Sequence, residues 1–468
     1  MKVLFLNPLF GSSHPEGLDA PLGLMYLGAV LKQAGHQCEL VDHTWECARN
    51  WQTWDNAVAR EPDVVLINTH IRFSDTTAEA VRRVKANKAQ VPVMAFGPQA
   101  STEALRLISE MGFDACVLGE PEGVMPAVLD AFASSGRLES RTGLATPGEL
   151  TPGEAPRVDV EALPFPDWEW ADYGRYIKTT HNAVFMCSRG YEQGDVFNQP
   201  PLIYATQPTY RCSVDRVISE LTELRRRFPG FYMLLFHDEV FTENREWVIE
   251  LCSRLRQVRL GVPYWCFTRP DLVDADLCRI MHRAGFAGLS MGMESGSERV
   301  LGMLKRCLTS YQTEKGFRAA QRAGLLTIGS VMIGTPGYLP EEQGETWEEI
   351  KSTEKMVNRL HPDVLTITLT TPLPGTPLYE NSKDRILAKT PEEYNYYHVW
   401  PGKYPLRLDN LTPDDLTAGV NLIRRTWKWG LWRTAWRITQ LALQNGAFRN
   451  TLCSHLTKVI CRKVLIRT

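Results

Sequence analysis

At 468 residues the chain is longer than one ordinary hydrophobic core accommodates, which predicts two or three domains. Its 44% hydrophobic and 23% charged residues are globular values, and no run of about 18 apolar residues points to a membrane-spanning helix. The formal net charge of −2 is uneven: residues 416–468 hold ten Lys/Arg and no Asp/Glu, leaving −12 on the 415 residues before them.

The opening "MKVLFLNP" reads as a strand rather than an export signal, so the expected compartment is the cytoplasm. There, eleven cysteines without a repeated spacing read as reduced thiols, not a disulfide framework. Over residues 1–135, "KVLFLNP" (2–8), "CELVDH" (38–43), "VVLINTH" (64–70), "VPVMAFG" (91–97) and "ACVLG" (115–119) read as buried parallel strands. Helical patterns separate them; in the first, Leu24, Leu27 and Leu31 recur at helical spacing and Gly35 supplies the stop. Such alternation predicts an α/β fold, a Rossmann-like doubly wound sheet with ligands at the carboxyl ends of its strands.

Residues 136–180, which include "PGELTPGEAPRV", read as a linker. A second alternating series then places strands at 182–190, 231–239, 264–269, 288–294, 326–334 and 363–371, which predicts a partial (β/α)6 barrel of TIM type over 181–380. Its chemistry is expected on the loops after the strands. Residues 381–468 form a helical, basic region in which Trp429, Trp432 and Trp436 interleave with Arg425, Arg433 and Arg437. Such a helix either packs on the barrel or makes peripheral contact with a membrane surface. Nothing beyond charge suggests nucleic acid, so none is expected as a partner.

In order and spacing, "PLGLMYLGAVLKQAGH", "FGPQAS", "LGEPEG", "LPFPDW", "HDEVFTEN", "WCFTRPDLVD", "MGMESGSERVL", "MIGTPG" and "TPLPGTPLY" resemble the cobalamin-binding radical SAM family over about residues 1–380. The resemblance implies a cobalamin-binding first domain, with Pro8, Thr69, His70, Ser74, Gly97, Pro98, Gln99, Gly119 and Glu120 as cofactor-binding positions. Glycine at 97 and 119 would let a large flat ligand approach the backbone. The Asp-x-His-x-x-Gly element that would supply an axial histidine to cobalt is absent; His70 stands as a substitute or as a solvent-edge histidine. In the barrel, Gly292, Glu294, Ser295, Gly334 and Pro336 are the positions that receive S-adenosylmethionine (SAM) in relatives. Arg269 and Asp238, at strand ends, fit a salt-bridged rim or a substrate contact equally.

The same family holds an iron–sulfur cluster on Cys-x3-Cys-x2-Cys. Counted from Ser188-Arg189-Gly190, those positions are Tyr191, Asp195 and Asn198, and Cys187, Cys212 and Cys266 lack the short spacing that would replace them. Hard or weak oxygen donors do not substitute for thiolates, so no iron–sulfur cluster and no other metal is expected. Tyr191, Glu192 and Asp195 become candidate acid–base catalytic groups, against a plain solvated loop. The expected function is a cobalamin-dependent enzyme acting on a small natural-product intermediate by polar methyl or alkyl transfer or cyclisation. The alternatives are a non-catalytic cobalamin-binding scaffold paired with an intact family member, and a cobalamin enzyme that no longer uses SAM.

Overall fold

Alternating apolar strands and amphipathic helices assemble into two six-stranded sheets, one per unit. The computed structural model describes residues 1–8, 20–46, 50–150, 153, 157–190, 194–198, 209–339, 342–389, 391–394, 404–428 and 434–437. In the first unit, β1 (Lys2–Asn7), β2 (Gln37–Asp42), β3 (Val64–Asn68), β4 (Val93–Phe96), β5 (Ala115–Val117) and β6 (Leu144–Ala145) run in the order β2-β1-β3-β4-β5-β6. All pairs are parallel except β5 with β6. Both faces carry a core: Leu4, Leu6, Val65 and Ile67 pack on one side, Val3, Phe5, Val64 and Leu66 on the other. Coverage on both faces is why these strands are nearly continuous apolar runs. The order reverses at β1, so the crevice lies where β1 and β3 end.

The second unit orders β7 (Asn182–Phe185), β10 (Met233–Phe236), β11 (Tyr264–Thr268), β12 (Phe286–Glu294), β13 (Leu326–Ile333) and β14 (Val364–Leu369) side by side, all parallel. Alternate residues, among them Leu234, Phe236, Cys266, Leu289, Met291 and Val331, lie in the core beneath the surrounding helices. The residues between them face the bore. The single strand expected at 182–190 is divided. Asp238, at the end of β10, accepts the Cys187 N–H at 3.0 Å and the Ser188 hydroxyl, and turns the chain out of the sheet. Ser188–Arg189 (β8) then pairs antiparallel with Tyr210–Arg211 (β9).

The stretch 136–180 is more than a spacer. β6 extends the first sheet, and Trp168, Tyr173 and Tyr176 are buried in the second core. Trp170 reaches the other way: its indole Nε1 donates to the Cys38 carbonyl at 3.1 Å, and its ring covers Gly28, where a Cβ would collide with it. At the other end of the chain, the helix Pro413–Lys428 lies on the helix Trp347–Leu360, and the Trp427 indole donates to the Pro362 carbonyl at 2.8 Å. Arg437 pairs with Asp363 at 2.6 Å while Trp436 is exposed. Trp429, Trp432 and Arg433 lie outside the described residues. No helix among the described residues is long and apolar enough to cross a membrane.

The units are joined by buried charge. Arg189 forks between Glu120 (2.6 Å) and Glu122 (2.8 Å) of the first unit, all three side chains at most 5% exposed. The Tyr26 hydroxyl donates to Glu220 at 2.9 Å, and Lys32 pairs with Asp167 at 2.7 Å. Removing one partner of a buried pair strands the remaining charge. Arg189→Met is therefore expected to lower stability by about 3–5 kcal/mol in urea unfolding. Loss of the two domains' joint transition is the sign to look for; a variant as stable as wild type would contradict the pairing.

Candidate functional site

At the crevice, Pro8 is buried beside Asn7, whose amide donates to Asp42 at 3.0 Å. Thr69 builds the turn from β3: its hydroxyl donates to the Phe96 carbonyl (2.9 Å) and accepts the Ala100 N–H (3.1 Å), and its carbonyl accepts the Gln99 N–H (3.2 Å). Gly97 has φ 99°, and a Cβ there would lie 2.6 Å from Asn68 Oδ1 and 2.9 Å from the Thr69 carbonyl. Its glycine is thus required by the neighbouring protein loop, a different cause from the ligand approach read in the sequence. Pro98 opens the helix Pro98–Ser109, and Gly119, φ 84°, donates its N–H to Ser101 at 3.0 Å. Glu120 does not face the crevice freely, since Arg189 and the Val158 N–H take its two oxygens. His70 sits half-buried with its ring tilted against Phe73.

Gln99 is different. Its amide nitrogen donates to Ser74 (3.1 Å) and Glu103 (2.9 Å), yet its buried Oε1 has no hydrogen-bond partner among the described residues. An orphaned buried acceptor costs about 1–3 kcal/mol, so this position favours an incoming N–H donor.

At the barrel mouth, Asp195 is fully buried and pairs with Arg306 at 2.8 Å, and Arg306 also reaches Glu294 at 3.3 Å. Asp195, a candidate acid–base group, is held by a cation 111 residues away and is not part of a plain solvated loop. Glu294 ends β12 at φ 54°, beyond a register shift, and its carboxylate folds back over Gly292 in the space a Cβ would fill. Burial raises its pKa, with Arg306 opposing. Arg269 forks onto Asp271 (3.0 and 3.1 Å) and donates to the Arg306 carbonyl (3.1 Å), which fixes the Arg306 backbone. Phe197 joins Val300, Met303, Leu304 and Met332 in a small apolar cluster beside this network. Tyr191 and Glu192 lie outside the described residues.

The remaining barrel positions are engaged by the protein itself. Ser295 is buried and its hydroxyl meets that of Thr353 at 3.1 Å. The Gly334 N–H donates to Glu345 (2.6 Å), its carbonyl accepts the Tyr404 hydroxyl (2.5 Å), and Pro336 is buried beside them. Each of these positions is thus engaged by a neighbour within the protein. Asp195 is already paired, and Cys187 and Cys212, opposite one another across β8 and β9, are buried thiols whose pKa burial raises, to about 11 for Cys212. Cobalamin does fit its crevice, because its amide-bearing arms supply the donor that Gln99 Oε1 lacks.

Residues 14–129 match the family described as the B12 binding domain. An uncharacterized methyltransferase of Pyrococcus horikoshii is 27% identical over 430 residues, 89% of this chain and 90% of that protein. The anaerobic magnesium-protoporphyrin IX monomethyl ester cyclase of Rubrivivax gelatinosus is 26% identical, covering 85% of this chain and 72% of its own length. The fold is that of the radical S-adenosylmethionine methyltransferase TsrM from Kitasatospora setae, solved with cobalamin and a [4Fe-4S] cluster. The two superpose with a TM-score of 0.70 at 18% identity, over 91% of this chain and 88% of that one.

Arg306, Phe197 and Tyr404 escaped sequence reasoning. The first had a signal, a cation twelve residues beyond a strand-end carboxylate; the others, a phenylalanine and a tyrosine in loops outside any motif, had none.

Glu345 offers a pH test. Its other oxygen is buried without a partner among the described residues, and burial raises its pKa from 4.5 to about 8. The native state then holds a proton that the unfolded chain has released, so this stabilisation is complete below about pH 4.5 and is lost as pH rises through about 8. Glu345→Gln, which mimics the protonated form, should flatten that decline and add on the order of 2–4 kcal/mol at about pH 9, read from denaturant midpoints across pH.

Proposed function

We propose that the chain is a cobalamin-dependent enzyme that works without an iron–sulfur cluster, with SAM as the donor where a methyl group is transferred and S-adenosylhomocysteine as the leaving group. It acts on a small molecule at the barrel mouth by polar chemistry, transfer of a methyl or alkyl group or a cyclisation. The single observation that carries the proposal is the filling of the mouth: Arg306 holds Asp195 at a position where relatives need a thiolate, and Phe197 packs beside it. Bound cobalamin supplies a cobalt centre able to take up and release an alkyl group by electron-pair displacement. The chain's part is to hold the corrin through Gln99 and its neighbours and to keep the mouth dry. The similarity to a methyltransferase and a cyclase supports both reaction classes.

The test is made on protein purified anaerobically and incubated with hydroxocobalamin. Stoichiometric cobalamin absorbance after gel filtration and negligible iron are the expected results, with S-adenosylhomocysteine and no deoxyadenosine as the product of SAM where a methyl group is transferred. Gln99→Leu should weaken cobalamin binding about tenfold, the worth of one buried hydrogen bond. A reconstituted four-iron absorbance, with deoxyadenosine formed from SAM and a reductant, would sink the proposal.

A further inference from the structure

The end of the barrel opposite its mouth is formed by the six turns that lead from a helix into β7, β10, β11, β12, β13 and β14. These turns hold one carboxylate among them, Asp363, and Arg437 pairs with it at 2.6 Å. Beside the last turns of the helices Arg245–Val258 and Ala275–Ala284 lies an open cavity of about 940 Å³. Arg256, Arg259 and Arg283 line it, all three exposed, and no Asp or Glu does. Their guanidinium groups make no ion pair or hydrogen bond among the described residues. His282 lines the same cavity, and its Nδ1 is buried without a hydrogen-bond partner among those residues.

A cation in the last turn of a helix balances the partial negative charge of that helix end, about half a unit charge. Three whole charges over two helix ends exceed that balance, so the face stays positive. The same face carries an exposed aromatic side chain. The His282 ring lies against Gly324, where a Cβ would be 3.4 Å from it, and the carbonyl of the next residue, Leu325, accepts from Arg437 at 2.5 Å. Trp436, adjacent to Arg437, is 62% exposed. In the sequence that follows, residues 438–468 add five Lys/Arg and no Asp/Glu.

A small soluble anion would engage the cations and leave the indole in water. An indole beside unpaired cations instead suits a surface with phosphate outermost and hydrocarbon beneath it. We propose that this end of the barrel docks on an anionic phospholipid surface. Headgroup phosphates lie among Arg256, Arg259 and Arg283, and the Trp436 ring enters the headgroup layer. The contact is peripheral, since no helix among the described residues is long and apolar enough to cross a membrane. The barrel mouth, at the other ends of the strands, faces away from the lipid. This inference stands on the face itself and does not rest on the proposed function.

The full chain is co-sedimented with vesicles of phosphatidylcholine alone and of phosphatidylcholine with about one third phosphatidylglycerol. Binding to the anionic vesicles only, weakening as salt rises, is the expected result. Arg256→Gln, Arg259→Gln and Arg283→Gln should each weaken it about fivefold, and Trp436→Ser about tenfold, with an unchanged melting temperature as the sign of an intact fold. Arg137→Gln, which removes an exposed cation of the first unit, should change it less than about twofold. No binding to anionic vesicles, equal binding to both kinds, or folded arginine variants that bind as wild type would overturn the inference. So would glycerol phosphate, a polyglutamate peptide or a duplex oligonucleotide bound as tightly as the vesicles and with the same loss in the arginine variants. The face would then recognise a soluble polyanion or a free phosphate and not a membrane.

Discussion

The Arg189 guanidinium, forked between Glu120 and Glu122, is the constraint on which the arrangement of the molecule depends. It leaves the barrel at β8, just after the chain has been turned out of the sheet, and meets the loop that closes β5 of the other unit. Three desolvated charges at this point are stable only together, because the attraction gained in a low dielectric is needed to offset the hydration each has lost. The Tyr26 ring, 5.6 Å from the guanidinium, adds its negative face to the same site. Two carboxylates against one cation also make the contact directional, since a fork accepts carboxylates in its plane. The sheet edge and the barrel mouth are thereby held in one relation.

A similar device recurs at the mouth, where one guanidinium again sits between two carboxylates, Asp195 and Glu294. Here Arg269 holds the backbone of Arg306 through its carbonyl, so the cation is placed before the anions meet it. The charged groups of this site are paired largely with one another, while Arg269 Nη1 is buried without a hydrogen-bond partner among the described residues, and the Phe197 cluster packs beside them.

Much of the scaffold was legible in the chain. The eleven parallel strands announced themselves as short apolar runs, in the first unit because both faces of the sheet are covered, and the glycine-punctuated turns marked where they end. The division at Phe185 was not legible: it depends on Asp238, fifty-odd residues on, whose carboxylate captures the Cys187 N–H and Ser188 hydroxyl. The site was legible as a set of positions but not as a set of contacts. Gly97, Glu120 and Ser295 carry the residue types that ligand binding would use, yet a close loop, an arginine and a threonine explain them without a ligand. Local sequence reports what a side chain offers, and only the fold reports what has already accepted it.

What is left unaccepted then carries the functional content. In the first unit one such group is an acceptor, Gln99 Oε1, whose own amide nitrogen is already engaged by Ser74 and Glu103. In the barrel it is the face of Phe267 above a sealed indole floor. One vacancy suits an amide donor and the other offers an aromatic face with the His237 ring 5.2 Å away, while Asp195 and Glu294 are held by Arg306.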